Sequence, residues 1–132
     1  RILGGNAMRG GMPFYKYISN RFLTLLENIV LGLNLSEYHT GFRAYTKQVL
    51  QSVPIKNLSD DFVFDAQILI SAHYLGFRIG EIPVPVRYFR EASSINFIRS
   101  AKYGILILHS LFLYILSFVM IKSVIFKKNK SI

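Results

Sequence analysis

The carboxyl-terminal part of the chain is an apolar run, Gly104 to Phe126, that limits what the whole chain can fold into. About 20 apolar residues in a helix are enough to cross the hydrocarbon core of a bilayer. The run therefore predicts a helix that spans the membrane, lies in its interface, or is buried in a soluble core. We expect one of the two membrane arrangements, followed by a basic tail over residues 127–132. Basic residues flank both ends, so the positive-inside rule assigns no orientation.

The charge balance predicts an anionic partner. The chain carries 16 Lys and Arg residues against 7 Asp and Glu residues, a net charge of +9. An acidic membrane surface or a phosphorylated substrate fits this excess. The basic residues are dispersed and no RNA- or DNA-binding motif occurs, so we expect no nucleic-acid partner. The absence of Cys from the sequence excludes a disulfide framework and a thiolate zinc site.

The first amphipathic pattern predicts a helix that opens at Pro13 and ends near Gly32 and Asn34. Its apolar residues recur at helical spacing, and we expect this stripe to face the core. Arg21 lies on another face, where it is either a solvated charge or part of an anion site. The apolar stripe of this helix consists of Ile18, Phe22, Leu25, Leu26, Ile29, Val30 and Leu33.

His39 has no obvious partner ligands in the sequence, which is typical of a hydrogen-bonded structural residue.

The densest acidic stretch is SDDFVFDAQ, residues 59–67. We predict that Asp60 caps a helix that follows and stops at Gly76, because its carboxylate can accept from the free N–H groups of the first turn. Asp61 and Asp65 are then one turn apart and present two carboxylates to a cleft. In the alternative interpretation Asp60 only caps the helix, and Asp65 only pairs with a nearby Arg.

The pattern changes again after Phe77. After Ile79, apolar residues alternate from Ile82 to Tyr88, with Pro83 and Pro85 on the opposite face. Because proline cannot donate to a ladder, this pattern predicts an edge strand or an extended segment over a sheet.

Three stretches occur together and in order: GGMPFYKYISNRFLTLLENIVLGLNLSEYHTGFRAYTKQVL, SDDFVFDAQIL and GFRIGEIPVPVRYFREASSINF. They resemble the C-terminal half of family 2 glycosyltransferases of the dolichyl-phosphate mannose synthase and polyprenyl-phosphate glycosyltransferase type. The resemblance covers residues 1–103. It implies an α/β class, with the acceptor-side part of a GT-A fold followed by a membrane helix over residues 104–126.

The resemblance also implies a reaction. Such enzymes transfer a sugar with inversion from a nucleotide-sugar donor, often to a polyprenyl phosphate, and use a divalent metal, Mg²⁺ or Mn²⁺. We expect the catalytic part on the cytoplasmic side of the membrane. The chain lacks the family's donor-binding strands and D-x-D motif, so alone it should bind neither metal nor donor and be inactive. The implied catalytic residues are Asp60 and Asp61, and the implied acceptor-phosphate ligands are Arg1, Arg21, Arg43 and Arg87.

Two acceptors remain open. A hydroxyl acceptor needs a carboxylate as general base, because its proton must leave as the new bond forms. A phosphate oxygen is already anionic near neutral pH and needs cations that hold it in line. The excess of Arg favours the phosphate, with Asp60 or Asp61 positioning groups or the metal. A third possibility is a non-catalytic, basic, membrane-anchored module that binds acidic lipids.

Overall fold

The structure, a computed structural model, describes residues 2–3, 7–8, 10–84 and 97–119. Its regular elements within these ranges are all helical, and no strand occurs among the described residues. The predicted strand does not form over residues 79–84, and its remainder lies outside the described residues. A ladder needs a neighbouring strand, and the described part of the chain supplies none. The elements are α1 (Phe14–Leu31), α2 (Lys47–Ser52), a 3₁₀ turn (Ile55–Asn57), α3 (Phe64–Tyr74) and α4 (Phe97–Val119).

Helix α1 begins and ends where the sequence predicted. Pro13 precedes its first turn, with a fixed φ of -58°. Gly32 ends it in the left-handed region, with a φ of 67° that a residue without Cβ adopts at little cost.

The prediction that the apolar stripe of α1 faces the core is wrong for much of that stripe. Ile18, Phe22 and Leu25 are exposed, and Ile29 retains 67% of its accessible surface. The face opposite them is buried and largely polar: Asn20, Thr24, Glu27 and Leu31.

Hydrogen bonds to the segment after α1 explain why its polar face is inside. Asn20 Nδ2 donates to Glu37 Oε1 at 2.8 Å. Asn28 donates from its side chain to the carbonyl of Leu35 at 2.9 Å and accepts from the Tyr38 hydroxyl at 2.7 Å. Buried polar groups are tolerated when they are satisfied in this way. The polar face of α1 therefore fastens the chain that follows it.

Helix α3 is the centre of the structure, and residues 66–72 are all buried. Gly76, with a φ of 82°, ends it as predicted. The prediction that Asp60 caps α3 is wrong, because Val63 precedes the first turn. Asp60 and Asp61 lie before the helix in a tight turn, in which the Phe64 N–H donates to the Asp61 carbonyl at 2.9 Å.

Two apolar clusters flank α3. The first lies between α1, α3 and α4 and includes Leu31, Tyr38, Ile70, Ile107 and Leu111. The second lies between α3 and the α2 region and consists of Val49, Val53, Leu58, Ile68 and Ala72. Helix α2 was not predicted from the sequence, although Thr46 caps it by accepting from the Val49 N–H at 3.3 Å.

Helix α4 begins at Phe97, ahead of the predicted start at Gly104. Residues 120–126 of the apolar run lie outside the described residues. In the described part of the chain, Phe97–Ser117 is long and apolar enough to cross a membrane.

Candidate functional site

The acidic loop, residues 59–65, lines a shallow open cavity of about 420 Å³. Asp60, Asp61 and Asp65 all face this cavity together with Phe62 and Phe64. The prediction that Asp61 and Asp65 lie one turn apart on one helical face is wrong, although both border this cavity; their use in a reaction stays a prediction. Asp60 and Asp61 precede α3, whereas Asp65 belongs to its first turn.

Asp61 is held by three short contacts. Its N–H donates to Ser59 Oγ at 3.1 Å, and its Oδ1 accepts from the Phe62 N–H at 2.8 Å. Its Oδ2 accepts from Lys102 Nζ, on α4, at 3.1 Å. The Phe62 N–H, then Lys102, and more weakly Arg99 hold the pKa of Asp61 below its ordinary value. Asp61 is therefore ionised near neutral pH and is a weak base.

A buried amide forms a second link between the acidic loop and α4. The Ser59 N–H donates to Gln67 Oε1 at 2.8 Å. The Nε2 group of Gln67 donates to Ser110 Oγ at 3.3 Å, and that hydroxyl donates to the Leu106 carbonyl at 2.8 Å. The loop that carries the carboxylates is thus fixed to the apolar helix at two points, Lys102 and Ser110.

Arg43 braces the segment between α1 and α2. Its Nε donates to the Thr40 carbonyl at 2.8 Å, and its terminal nitrogen donates to the Tyr38 carbonyl. The guanidinium lies 3.9 Å from Asp65 Oδ1, and the side chain is only 10% exposed. Arg43 therefore joins this segment to the acidic loop, as in the interpretation that pairs Asp65 with a nearby Arg.

The other predicted phosphate ligands are not brought to Arg43 by any contact in the described part of the chain. Arg21 is exposed and donates to the Ser36 carbonyl at 2.8 Å. The same Ser36 is held by Glu81, which accepts from its N–H and its hydroxyl at 2.8 and 2.7 Å. Arg1 and Arg87 lie outside the described residues. The role of all four Arg residues stays a prediction.

A buried polar chain crosses the structure beside Arg43. His39 Nε2 lies 3.2 Å from Oε2 of Glu27, whose side chain is fully buried. His39 Nδ1 is 2.9 Å from the Tyr103 hydroxyl on α4. Burial raises the pKa of Glu27, and His39 and Arg43 oppose that rise. The prediction that His39 is a hydrogen-bonded structural residue is confirmed.

The described residues do not form the metal site that the resemblance implies for a complete enzyme. Among them, no three His, Cys, Asp or Glu side chains come together in a way that could hold a metal ion. The Asp61 oxygens face the Phe62 N–H and the Lys102 ammonium, and Asp65 faces Arg43.

Sequence reasoning missed Lys102, Gln67 and Glu27. Lys102 and Gln67 make contacts 41 and 43 residues away along the chain, which no local pattern reveals. Glu27 carried a usable signal, because with Asn20 and Thr24 it forms a polar stripe at helical spacing.

Comparisons with known proteins return no match, either to a protein-family model or to a solved structure. The functional proposal therefore depends on the sequence resemblance and on the geometry of the acidic loop.

Proposed function

We propose that this chain is the acceptor-side part of an inverting glycosyltransferase. In the proposal, a sugar moves from a nucleotide-sugar donor to a polyprenyl phosphate at the cytoplasmic face of a membrane. The donor and a divalent metal, Mg²⁺ or Mn²⁺, are held by a preceding half of the complete enzyme. Asp60 and Asp61 face the transferred sugar, and Arg43, which lies 3.9 Å from Asp65 Oδ1, is among the proposed phosphate ligands.

The observation that carries the proposal is the attachment of the acidic loop to the apolar helix. Asp61 meets Lys102 at 3.1 Å within the second turn of α4, and Gln67 meets Ser110 further along it. A lipid-linked phosphate lies at the membrane surface, so a transfer site for it must be fixed close to a membrane element. Asp61 is thus fixed to the one described helix that is long and apolar enough for a membrane.

The electrostatics of Asp61 favour a phosphate acceptor over a hydroxyl acceptor. A general base works best when its pKa lies near the working pH, and the pKa of Asp61 is instead lowered by Phe62 N–H and Lys102. A phosphate dianion needs no base. Its oxygen bonds to the anomeric carbon while the bond from that carbon to the nucleotide diphosphate breaks, and no proton is removed. Asp61 then acts by position and charge.

The test is transfer by the complete enzyme in membranes that contain polyprenyl phosphate. Arg43→Lys should reduce kcat/KM about ten- to a hundredfold, because Lys keeps the charge but loses the planar two-point contact. Lys56→Arg, an exposed cation outside the site, is the matched control. Circular dichroism of the Arg43→Lys variant separates lost folding from lost transfer, because Arg43 also braces Tyr38 and Thr40.

The variant Asp61→Asn distinguishes a phosphate acceptor from a hydroxyl acceptor. Loss of a general base should cost about a hundred- to ten-thousandfold and flatten the acidic limb of the pH–rate profile. A positioning carboxylate leaves that limb in place, which is the expected result. An Asp61→Asn enzyme without the acidic limb, beside a fully active Arg43→Lys enzyme, would favour a hydroxyl acceptor.

Calorimetry on this chain alone should find no nucleotide-sugar binding, with or without Mn²⁺. Micromolar binding would contradict the assignment to the acceptor side.

A second candidate function is a non-catalytic module that binds acidic lipids. The pairing of Asp61 with Lys102 and of Asp65 with Arg43 favours it, because both carboxylates then have purely structural uses. Salt-sensitive vesicle binding that ignores Asp61→Asn, in a complete protein without transfer activity, would select this function.

A further inference from the structure

Two cations of α4 lie against the acidic loop. Lys102 Nζ is 3.1 Å from Asp61 Oδ2, and the guanidinium carbon of Arg99 lies 5.8 Å from the centre of the Phe62 ring. Arg99 and Lys102 are three residues apart, on one face of the helix. Since Asp61 and Phe62 both line the cavity of about 420 Å³, these two cations lie at its rim.

The contact between Lys102 and Asp61 adds little to the stability of the fold. The Lys102 side chain is 64% exposed and that of Asp61 is 41% exposed, so solvent screens the pair. The acidic loop has a separate attachment to α4 through Gln67 and Ser110. The Phe62 N–H is the largest influence that lowers the pKa of Asp61, so this carboxylate stays ionised near neutral pH without Lys102. A structural role therefore does not account for a lysine at this position.

The chemistry of the two side chains suits a phosphate group. A lysine ammonium has three N–H donors, and among the described residues its hydrogen-bond partner is the Asp61 carboxylate. Asp61 holds the ammonium at the rim of the cavity, where its other donors can bind the oxygens of an anion. Arg99 adds a planar guanidinium, which matches phosphate oxygens and is held over the Phe62 ring.

Exposed apolar residues flank Lys102 on the same face of α4. Ile98 is four residues before it and Ile105 is three residues after it, and they are 78% and 67% exposed. A phosphate that carries an isoprenoid chain can cover these side chains with apolar carbon, and removing apolar surface from water is favourable. Inorganic phosphate and a nucleotide diphosphate have no such carbon. The surroundings of Lys102 therefore favour a lipid-linked phosphate.

We propose that Lys102 and Arg99 bind the phosphate of a polyprenyl phosphate at the rim of the acidic loop, and that Asp61 is the positioning residue that holds the Lys102 ammonium. The proposal rests on the proposed function for the identity of the acceptor. It adds two residues of α4 to the phosphate ligands that the sequence predicted, and it places the phosphate beside the carboxylates.

The first test measures binding of farnesyl phosphate to the full chain in detergent micelles, with farnesol and methyl phosphate as probes that lack the phosphate or the isoprenoid chain. Lys102→Met should weaken binding of farnesyl phosphate about tenfold, whereas Lys102→Arg should keep it within about threefold. Lys56→Met, at an exposed cation outside the site, should change it less than about twofold. Farnesol binding should be the same in all four proteins.

Two further variants separate the parts of the proposed site. Arg99→Met should weaken farnesyl phosphate about threefold, because it removes the second cation. Ile105→Ser should weaken farnesyl phosphate by a similar factor and leave methyl phosphate unchanged, because only the isoprenoid chain contacts this side chain.

A second measurement shows where the phosphate binds. Carboxyl-carbon NMR follows the pKa of Asp61 with and without farnesyl phosphate. Binding should raise this pKa, because an anion held by the same ammonium disfavours the charged carboxylate. Farnesol should leave the pKa unchanged, and the rise should be lost in Lys102→Met. A lysine with a merely structural role would not couple the probe to Asp61.

Kinetics of the complete enzyme identify the source of the phosphate. Lys102→Met should raise KM for polyprenyl phosphate about tenfold and KM for the nucleotide sugar less than about twofold. A rise in KM for the nucleotide sugar alone would mean that the donor diphosphate is the ligand, and would overturn the proposal.

Two other results would overturn it without touching the transfer reaction: equal affinity of the parent and Lys102→Met for farnesyl phosphate, or bound farnesyl phosphate that leaves the pKa of Asp61 unchanged. A complete parent enzyme without transfer activity would instead contradict the proposed function. Binding of farnesyl phosphate through Lys102 would stand in that case.

Discussion

The pair of Glu27 and His39 offers a sharp test of how the structure is held together. Glu27 is fully buried, and His39 Nε2 lies 3.2 Å from its carboxylate. Among the described residues, Glu27 Oε1 has no hydrogen-bond partner. Removing one member of a buried pair leaves the other uncompensated, which costs about 3 to 5 kcal/mol. We expect His39→Ala to lower the free energy of unfolding by that amount at pH 7.

Two further variants show how much of this loss belongs to the contact between Glu27 and His39. Tyr103→Phe removes the 2.9 Å contact to His39 Nδ1 and should cost about 1 kcal/mol. Glu27→Gln in the His39→Ala background replaces the buried carboxyl group with a neutral amide. The double variant should therefore be about 2 kcal/mol more stable than His39→Ala alone.

The pH dependence follows from the raised pKa of Glu27. A carboxyl group that binds its proton more tightly when folded contributes stability that is present below its ordinary pKa of 4.5 and lost as pH rises through the folded pKa. Removing His39 removes an influence that lowers this pKa, so the stability of His39→Ala should fall more steeply with pH than that of the parent. Urea unfolding in detergent micelles, followed by far-UV circular dichroism from pH 5 to 8, measures the loss of stability at pH 7 and the pH dependence of stability for each variant. A His39→Ala loss below about 1 kcal/mol at pH 7, or no gain from Glu27→Gln, would refute the reasoning.

Three other predictions test the site and its frame. Lys102→Met should raise the pKa of Asp61 only part of the way to its ordinary value, because the Phe62 N–H remains. Carboxyl-carbon NMR titration measures this pKa, and an unchanged pKa would contradict the contact between Lys102 and Asp61. Gln67→Ala should cost about 1 to 3 kcal/mol in urea unfolding, against less than about 0.5 kcal/mol for the exposed control Gln51→Ala; equal losses would exclude a structural role for the buried amide. Gly76→Ala should cost about 1 kcal/mol by the same assay, because φ is 82° there, and a neutral effect would place the end of α3 elsewhere.

The ends of the helices could be predicted from sequence because local chemistry sets them. Pro13 opens α1, and Gly32 and Gly76 end α1 and α3 in the left-handed region. The prediction that Asp60 caps α3 was wrong because the residues before the helix hydrogen-bond within their own turn instead of to the first turn of the helix. Ser59 and Asp61 satisfy their own turn, so the helix starts only at Phe64.

The orientation of α1 could not be predicted from its apolar period alone. Periodicity identifies an apolar face but does not say whether protein or lipid covers it. Asn20, Thr24 and Glu27 form a second stripe, and only the contacts of Asn20 with Glu37 and of Glu27 with His39 show that this stripe is the buried one. The acidic loop was found from its composition, whereas Lys102 came to it through tertiary packing.

The polar contacts of this chain connect α1 and α4 to its carboxylates. Glu27 of α1 meets His39, and His39 meets Tyr103 of α4. One residue earlier on α4, Lys102 meets Asp61. A change in the packing of α1 against α4 therefore moves the residues that hold the acidic loop. The same contacts fix the position of Asp61 relative to α4, the described helix that is long and apolar enough to cross a membrane, and transfer to a lipid-linked phosphate requires such a fixed position.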